Sequence, residues 1–310
     1  MEKYASLMVL VAAVLWGSNG VFVKLLEGSG LGGFEMSSMR MILTLIIEFI
    51  LVLFTDRKLF RIRKKDIFWF MLTGTVGIYA FVVAYSLSIQ YVGMATAAVL
   101  IYLMPSLVLI YSCLFMNEKI NLFKIISVIL SLVGCALACG VASGIVFNVK
   151  GILLGLLTAF CYAANNILLS TKLKDYAPLT RVFYTAVAAA ICSLIYLCLF
   201  ANVGEVLSIY THNVRYLVID ILWAICCSVA PFYLFNASLK YIGVAKASLL
   251  STFEPVSAAL IGIFVFHEHW DIFTISGIIM VVVSIIICEK ASDRIIVPAA
   301  DDSFSLRKGE

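Results

Sequence analysis

Ten apolar stretches, each about 18–24 residues long, fill the chain almost end to end: 5–26, 35–54, 67–89, 93–116, 122–140, 151–171, 179–201, 216–239, 245–266 and 272–289. At 1.5 Å per residue, a helix of that length crosses a hydrocarbon core of roughly 30 Å. Lipid offers no partner to open backbone groups, so each crossing has to be helical. Composition points the same way. The 310 residues are 63% hydrophobic and 13% charged, with mean hydropathy +1.09. A soluble domain of this size needs more charged surface.

A repeat is the second constraint. The segments SLSIQYVGMATAAVLIYLMP and ASLKYIGVAKASLLSTFEP share Tyr91/Tyr241, Gly93/Gly243, Ala95/Ala245, Ala97/Ala247 and Pro105/Pro255. The offset is a constant 150 residues, and it continues to Glu118/Glu268, Phe123/Phe273 and Ile125/Ile275. Two repeats are expected, at 1–141 and 150–290, followed by a polar tail at 291–310.

Charge sets the orientation. The segment TDRKLFRIRKKD carries six Lys and Arg. Counting sides alternately from there, twelve more cations fall on the same side, and the opposite side holds Lys24, Lys150 and Arg215. The positive-inside rule makes the rich side cytoplasmic, with both termini and the tail inside. Each repeat has five spans, an odd number, so the second repeat must run opposite to the first. The expected fold is an all-α polytopic membrane protein: ten transmembrane helices as two inverted five-helix repeats around a central cavity. Many secondary transporters are built this way, with the substrate held between the halves.

Several classes are disfavoured. The first span reads as a true crossing rather than a cleaved signal, because its apolar run is long and it contains Trp16, Gly17 and Asn19. The nine cysteines lie within apolar spans, with no disulfide framework and no metal-ligand spacing. No metal or cofactor is expected. No GxxxxGK[ST], GxSxG or HExxH motif occurs. His267-Glu268-His269 diverges on a helix end and makes a poor metal site. The pI of 8.5 reflects the basic cytoplasmic loops rather than nucleic-acid binding.

Candidate site residues follow from depth and polarity. Pro105 and Pro255 fall mid-span, where each removes a backbone hydrogen bond and breaks its helix. Freed carbonyls at that depth suit a cavity wall, although packing kinks would look the same. Glu254 precedes Pro255, and its repeat mate is Met104. An acid inside a membrane span is a functional candidate, here for a substrate ammonium group or a coupling proton. A neutral carboxyl bonded to backbone is the plain alternative.

Arg40, inside span two, suits attraction of a carboxylate, or it snorkels to the surface. Lys24 reads as a helix-end anchor. Glu48 is buried in the same span as Arg40, with no partner evident. Trp16 and Asn19 match Tyr162 and Asn165, an aromatic and an amide three residues apart in each half. That pattern supplies a wall and hydrogen bonds, or else glue between helices. Trp16, Asn19, Tyr162, Asn165 and Glu254 are expected around one cavity. Tyr79, Tyr102, Tyr184 and Asn236 join the candidate substrate-binding set on depth and polarity alone. Gly151 and Gly155 form a helix-packing GxxxG.

The joint pattern resembles EamA-type transporters of the drug/metabolite transporter superfamily. It is carried by LWGSNGVFVK opening span one, MSSMR in span two, and Pro followed 13 residues later by Glu in both halves, over about residues 5–289. The second half has no arginine matching Arg40, only Phe183 or Tyr184 nearby. The resemblance implies a secondary carrier of small organic metabolites such as amino acids, proton-linked, with export as the direction. An uncoupled facilitator or exchanger is the alternative, and an intramembrane enzyme is disfavoured because the histidines lie away from midplane nucleophiles. The expected partners are a small organic solute, the lipid bilayer and a coupling proton, with no nucleic acid. The expected location is the plasma membrane, a bacterial inner membrane from the small size. Nothing in the sequence fixes an oligomeric state.

Overall fold

The computed structural model describes residues 2–116, 121–139, 148–267 and 271–293, and every regular element in it is helical. The helices of the first half are α1 (Glu2–Gly17), α2 (Asn19–Leu26), α3 (Gly33–Thr55), α4 (Ile67–Leu72), α5 (Phe81–Ile101), α6 (Met104–Phe115) and α7 (Leu122–Ala138). Those of the second half are α8 (Val149–Thr171), α9 (Pro178–Phe200), α10 (Val203–His212), α11 (Val214–Ala224), α12 (Ala230–Leu250), α13 (Phe253–Phe266) and α14 (Ile272–Asp293). Two π-helical segments, Thr73–Ala80 and Ile225–Val229, join α4 to α5 and α11 to α12. They occupy matched positions in the repeat.

Asparagines start several of these helices. Asn121, Asn148, Asn202 and Asn213 each accept a backbone N–H from the first turn of α7, α8, α10 and α11. That satisfies donors a helix cannot pair internally. Pro178 opens α9 from its first turn, where its missing N–H costs nothing.

Among the described residues, seven helical stretches are long and apolar enough to cross a bilayer: Glu2–Ser29, Gly33–Thr55, Lys64–Met94, Thr96–Phe115, Val149–Thr171, Pro178–Phe200 and Val214–Leu250. Three shorter apolar helices, Leu122–Ala138, Phe253–Phe266 and Ile272–Cys288, accompany them. The boundaries expected near 90 and 242 fall at single residues. Gly93 and Gly243 leave helical geometry inside otherwise continuous helix, so each pair of expected spans is joined by one glycine.

Packing exchanges elements between the halves. The first helix of each half packs against the helix that joins the third and fourth expected spans of the other, α1 on α12 and α8 on α5. Helix α3 packs on α9, and α7 on α14. The π segment Thr73–Ala80 lies on α8 and α9, while Ile225–Val229 lies on α1 and α3. The GxxxG serves this packing, because a Cβ on Gly151 would sit 2.6 Å from Val92 of α5.

The core mixes both halves, with Val9, Trp16, Met104, Tyr162, Phe235 and Val256 in one cluster. Large apolar side chains such as Phe54, Leu153, Phe160, Leu199 and Phe200 face outward, while Thr44, Ser88, Asn165, Asn166 and Ser193 are buried. An apolar exterior around a polar-bearing interior is the pattern of a chain solvated by lipid.

The structure departs from the sequence reading in three places here. Residues 203–212, read as loop, form α10, with Val206 and Tyr210 buried. The first expected span breaks at Ser18, between α1 and α2. Two cations counted on the cytoplasmic side, Arg181 and Lys246, are buried. Arg181 donates to the carbonyls of Leu169 and Asn236, and Lys246 pairs with Glu2 at 3.0 Å. Glu118 and Glu268, the proline-linked acids, lie outside the described residues, as does His269.

Candidate functional site

Both prolines stand in the first turn of a restarted helix. Helix α5 stops at Ile101, Tyr102 and Leu103 form a turn, and α6 resumes with Pro105 near its start. Helix α12 stops at Leu250, Ser251 and Thr252 turn, and α13 resumes with Pro255. A proline there has no bond to forfeit, so the gap falls just before it. The second gap is held from outside. Ser131 Oγ donates to Thr252 Oγ1 at 2.8 Å, and Asn166 Nδ2 reaches Ser248 Oγ at 3.2 Å.

Glu254 lies in the first turn of α13, half-buried. Tyr85, Tyr102, Tyr162 and Cys139 lie within electrostatic reach of its carboxylate. Helix α1 closes one side, where a Cβ on Gly17 would sit 2.8 Å from the Glu254 carbonyl, so only glycine allows this approach. Trp16 packs its ring on Phe232 and Phe235, with centroids 5.3 and 5.9 Å away. Tyr162 packs on Phe81 at 5.1 Å. A carboxylate among aromatic faces and phenol hydroxyls suits an organic ammonium group or a mobile proton.

Asn19 is not in this group. It lies toward the Gly33 end of α3, where Asn19 Oδ1 accepts from Arg40 Nη1 at 3.2 Å and Trp223 Nε1 at 2.7 Å. The Arg40 guanidinium lies 4.4 Å over the Trp223 ring. Asp220 is within electrostatic range of Arg40 and accepts from the Tyr210 hydroxyl at 2.8 Å. Arg40 thus holds Asn19 and Trp223 through one face of its guanidinium, while its Nε is buried without a hydrogen-bond partner. Asp220 was legible as an acid inside span eight, yet the sequence reading passed over it.

Asn165 and Asn236 line a third place, a narrow cavity toward the Thr55 end of α3, with Thr44, Glu48, Thr185 and Ser228. Phe232 lines it too and touches Trp16, so this cavity adjoins the aromatic group. The five residues expected around one cavity are therefore divided among three neighbouring clusters. Tyr79 is half-buried in the π segment Thr73–Ala80. Tyr184 is not central, because its hydroxyl donates to the Phe60 carbonyl at 2.7 Å and ties α9 to the 57–60 turn. Among the described residues no three His, Cys, Asp or Glu side chains cluster as a metal site.

The EamA-like transporter family model matches residues 3–140 and again 149–288. The chain belongs to the EamA-like transporter family. Two matches to one family model coincide with the two halves that exchange helices in the fold. An EamA-like chain of this kind is a multi-pass membrane protein. It is 28% identical to an "uncharacterized transporter" of Archaeoglobus fulgidus, covering 92% of this chain and 96% of that one. It is 24% identical to the "uncharacterized inner membrane transporter YicL" of Salmonella typhimurium, covering 93% and 96%. A solved crystal structure superposes with TM-score 0.80 at 16% identity, over 94% of this chain and 98% of that one, which speaks for the fold.

Proposed function

We propose that this EamA-like protein is a secondary transporter that moves small organic metabolites, such as amino acids, out of the cell by alternating access. Ten crossings in two inverted repeats, 1–141 and 150–290, form the carrier, with both termini and the 291–310 tail cytoplasmic. The Salmonella relative's name supports a bacterial inner membrane as the location. One observation carries the site assignment. Glu254 stands at the end of a helix gap, with Gly17 of α1 against its backbone and Tyr85 of α5, Tyr102 in the opposite gap and Tyr162 on α8 within electrostatic reach. A carboxylate at a discontinuous helix, walled by aromatics from both halves, can exchange a proton or an amine as the halves rock.

Purified protein in liposomes, screened against labelled metabolites with and without an imposed proton gradient, tests this reading. Uptake or efflux that follows the gradient supports a proton-linked carrier. Flux indifferent to the gradient would make the protein a facilitator or exchanger. No flux of any metabolite across a broad screen would count against transport altogether.

A further inference from the structure

The cavity toward the Thr55 end of α3 is walled by oxygens that lack partners. Glu48, Asn165, Ser228 and Asn236 all line it, and they are 2%, 2%, 2% and 1% exposed. Glu48 Oε2, Asn165 Oδ1, Ser228 Oγ and Asn236 Oδ1 are each buried without a hydrogen-bond partner. Buried polar atoms are almost always satisfied, so four orphans around one small space ask for a ligand.

The chemistry of that ligand follows from the donors already spent. Asn236 Nδ2 donates to the Phe232 carbonyl at 2.9 Å, and Asn165 Nδ2 to Asn166 Oδ1 at 3.3 Å. Both amides thus leave their oxygens unpaired. Thr44 and Thr185, also in the wall, donate their hydroxyl protons to the carbonyls of Arg40 and Arg181 and keep lone pairs free. The wall is rich in acceptors and carries one carboxylate. Among the described residues no Lys, Arg or His forms an ion pair with Glu48, and Arg181 directs both Nη1 and Nη2 to backbone carbonyls. The free volume is about 20 Å³, enough for roughly one water-sized body and too small for an organic solute.

We propose that this cavity is a binding site for one dehydrated monovalent cation of the size of Na⁺, held by Glu48 with the amide and hydroxyl oxygens of Asn165, Asn236 and Ser228. Hard cations take oxygen ligands, and one carboxylate balances one positive charge. The ligands come from α3, α8, the π segment Ile225–Val229 and α12, so both halves grip the ion. Its role as a coupling ion rests on the transporter reading; its binding does not.

The test uses the full-length protein in detergent and reads thermal unfolding in NaCl against choline chloride at equal ionic strength. The expected result is a saturable rise in Tm with Na⁺ that choline does not give and that Glu48→Gln loses. Binding of ²²Na⁺ to the wild-type protein, saturating at one ion per chain, supports the site even where the variant fails to fold. A wild-type Tm equal in Na⁺ and choline overturns the proposal, as does an unchanged Na⁺ response in Glu48→Gln. A Tm that responds to pH but not to Na⁺ also overturns it, and makes Glu48 a proton site instead. Because the readout is binding, intact metabolite flux with no Na⁺ response sinks only this site.

Discussion

Gly93 and Gly243 adopt the same backbone conformation 150 residues apart, with φ 78°, ψ 165° and φ 70°, ψ 165°. That region is open essentially to glycine alone. A single residue at each place therefore turns the chain between two apolar segments without a loop. The identity of the two conformations is the most local sign of the repeat, beneath the helix exchange seen in the packing.

Replacing either glycine tests this turn. A Cβ at Gly93 or Gly243 meets nothing within 4 Å, so the cost of alanine is backbone strain without a clash. Gly93→Ala and Gly243→Ala should each lower stability by about 1–3 kcal/mol. Thermal unfolding in detergent reads the loss, which should be similar at the two positions. An unchanged Tm at either would mean that the turn is not formed there.

The repeat, the helical class and the two helix gaps were legible because they depend on short-range pattern. Apolar length gives the spans, and proline chemistry places the gaps within a few residues. The side-chain clusters were less legible, because their partners come from distant segments. Trp16 and Asn19 look like one helix face until the break at Ser18 separates them. Glu48 has no visible partner in its own span, since the groups beside it are Asn165, Ser228 and Asn236. Tyr184 looks central by depth, but its hydroxyl meets a loop carbonyl more than a hundred positions away. Helix α10 escaped notice because ten residues of modest hydropathy between two spans read as a connection.

The Arg40 cluster gives a second prediction. Lysine keeps the charge but loses the planar fork that bonds Asn19 and stacks on Trp223. Arg40→Lys should cost about 1–2 kcal/mol of stability, the scale of a desolvated cation–π contact. A double-mutant cycle of Arg40→Lys with Asn19→Ala should be non-additive, because the two side chains share one bond. Strict additivity would show that Asn19 does not hold the arginine.

Orientation is tested by labelling. Lys58 lies in the exposed turn before α4, and Glu205 lies exposed in the first turn of α10. With cysteine at one of these positions in a background without the nine native thiols, an impermeant reagent added to intact cells should label position 205 and spare position 58. Labelling at 58 alone would reverse the orientation. Labelling at both would place the two segments on one side and remove the inverted repeat.

Glu254 carries the mechanism. It is an acid at a helix gap, with Tyr85, Tyr102 and Tyr162 close enough for its charge to be felt. Two roles fit that place, proton carrier and amine ligand. Glu254→Gln separates them, because the amide keeps the size and the hydrogen-bonding reach but neither titrates nor carries charge. The half-buried position implies that the variant folds, since among the described residues no ion pair is broken by the change. If Glu254 carries the coupling proton, the variant should lose gradient-driven accumulation and retain substrate exchange. If it binds a substrate ammonium group, exchange should fall as well, by the one or two orders of magnitude that loss of a charge-assisted hydrogen bond of about 1.5–3 kcal/mol implies. Liposomes loaded with unlabelled substrate measure exchange, and an imposed pH step measures accumulation. Wild-type behaviour in both assays would reduce Glu254 to a structural group and move the search for the coupling site to the Glu48 cavity.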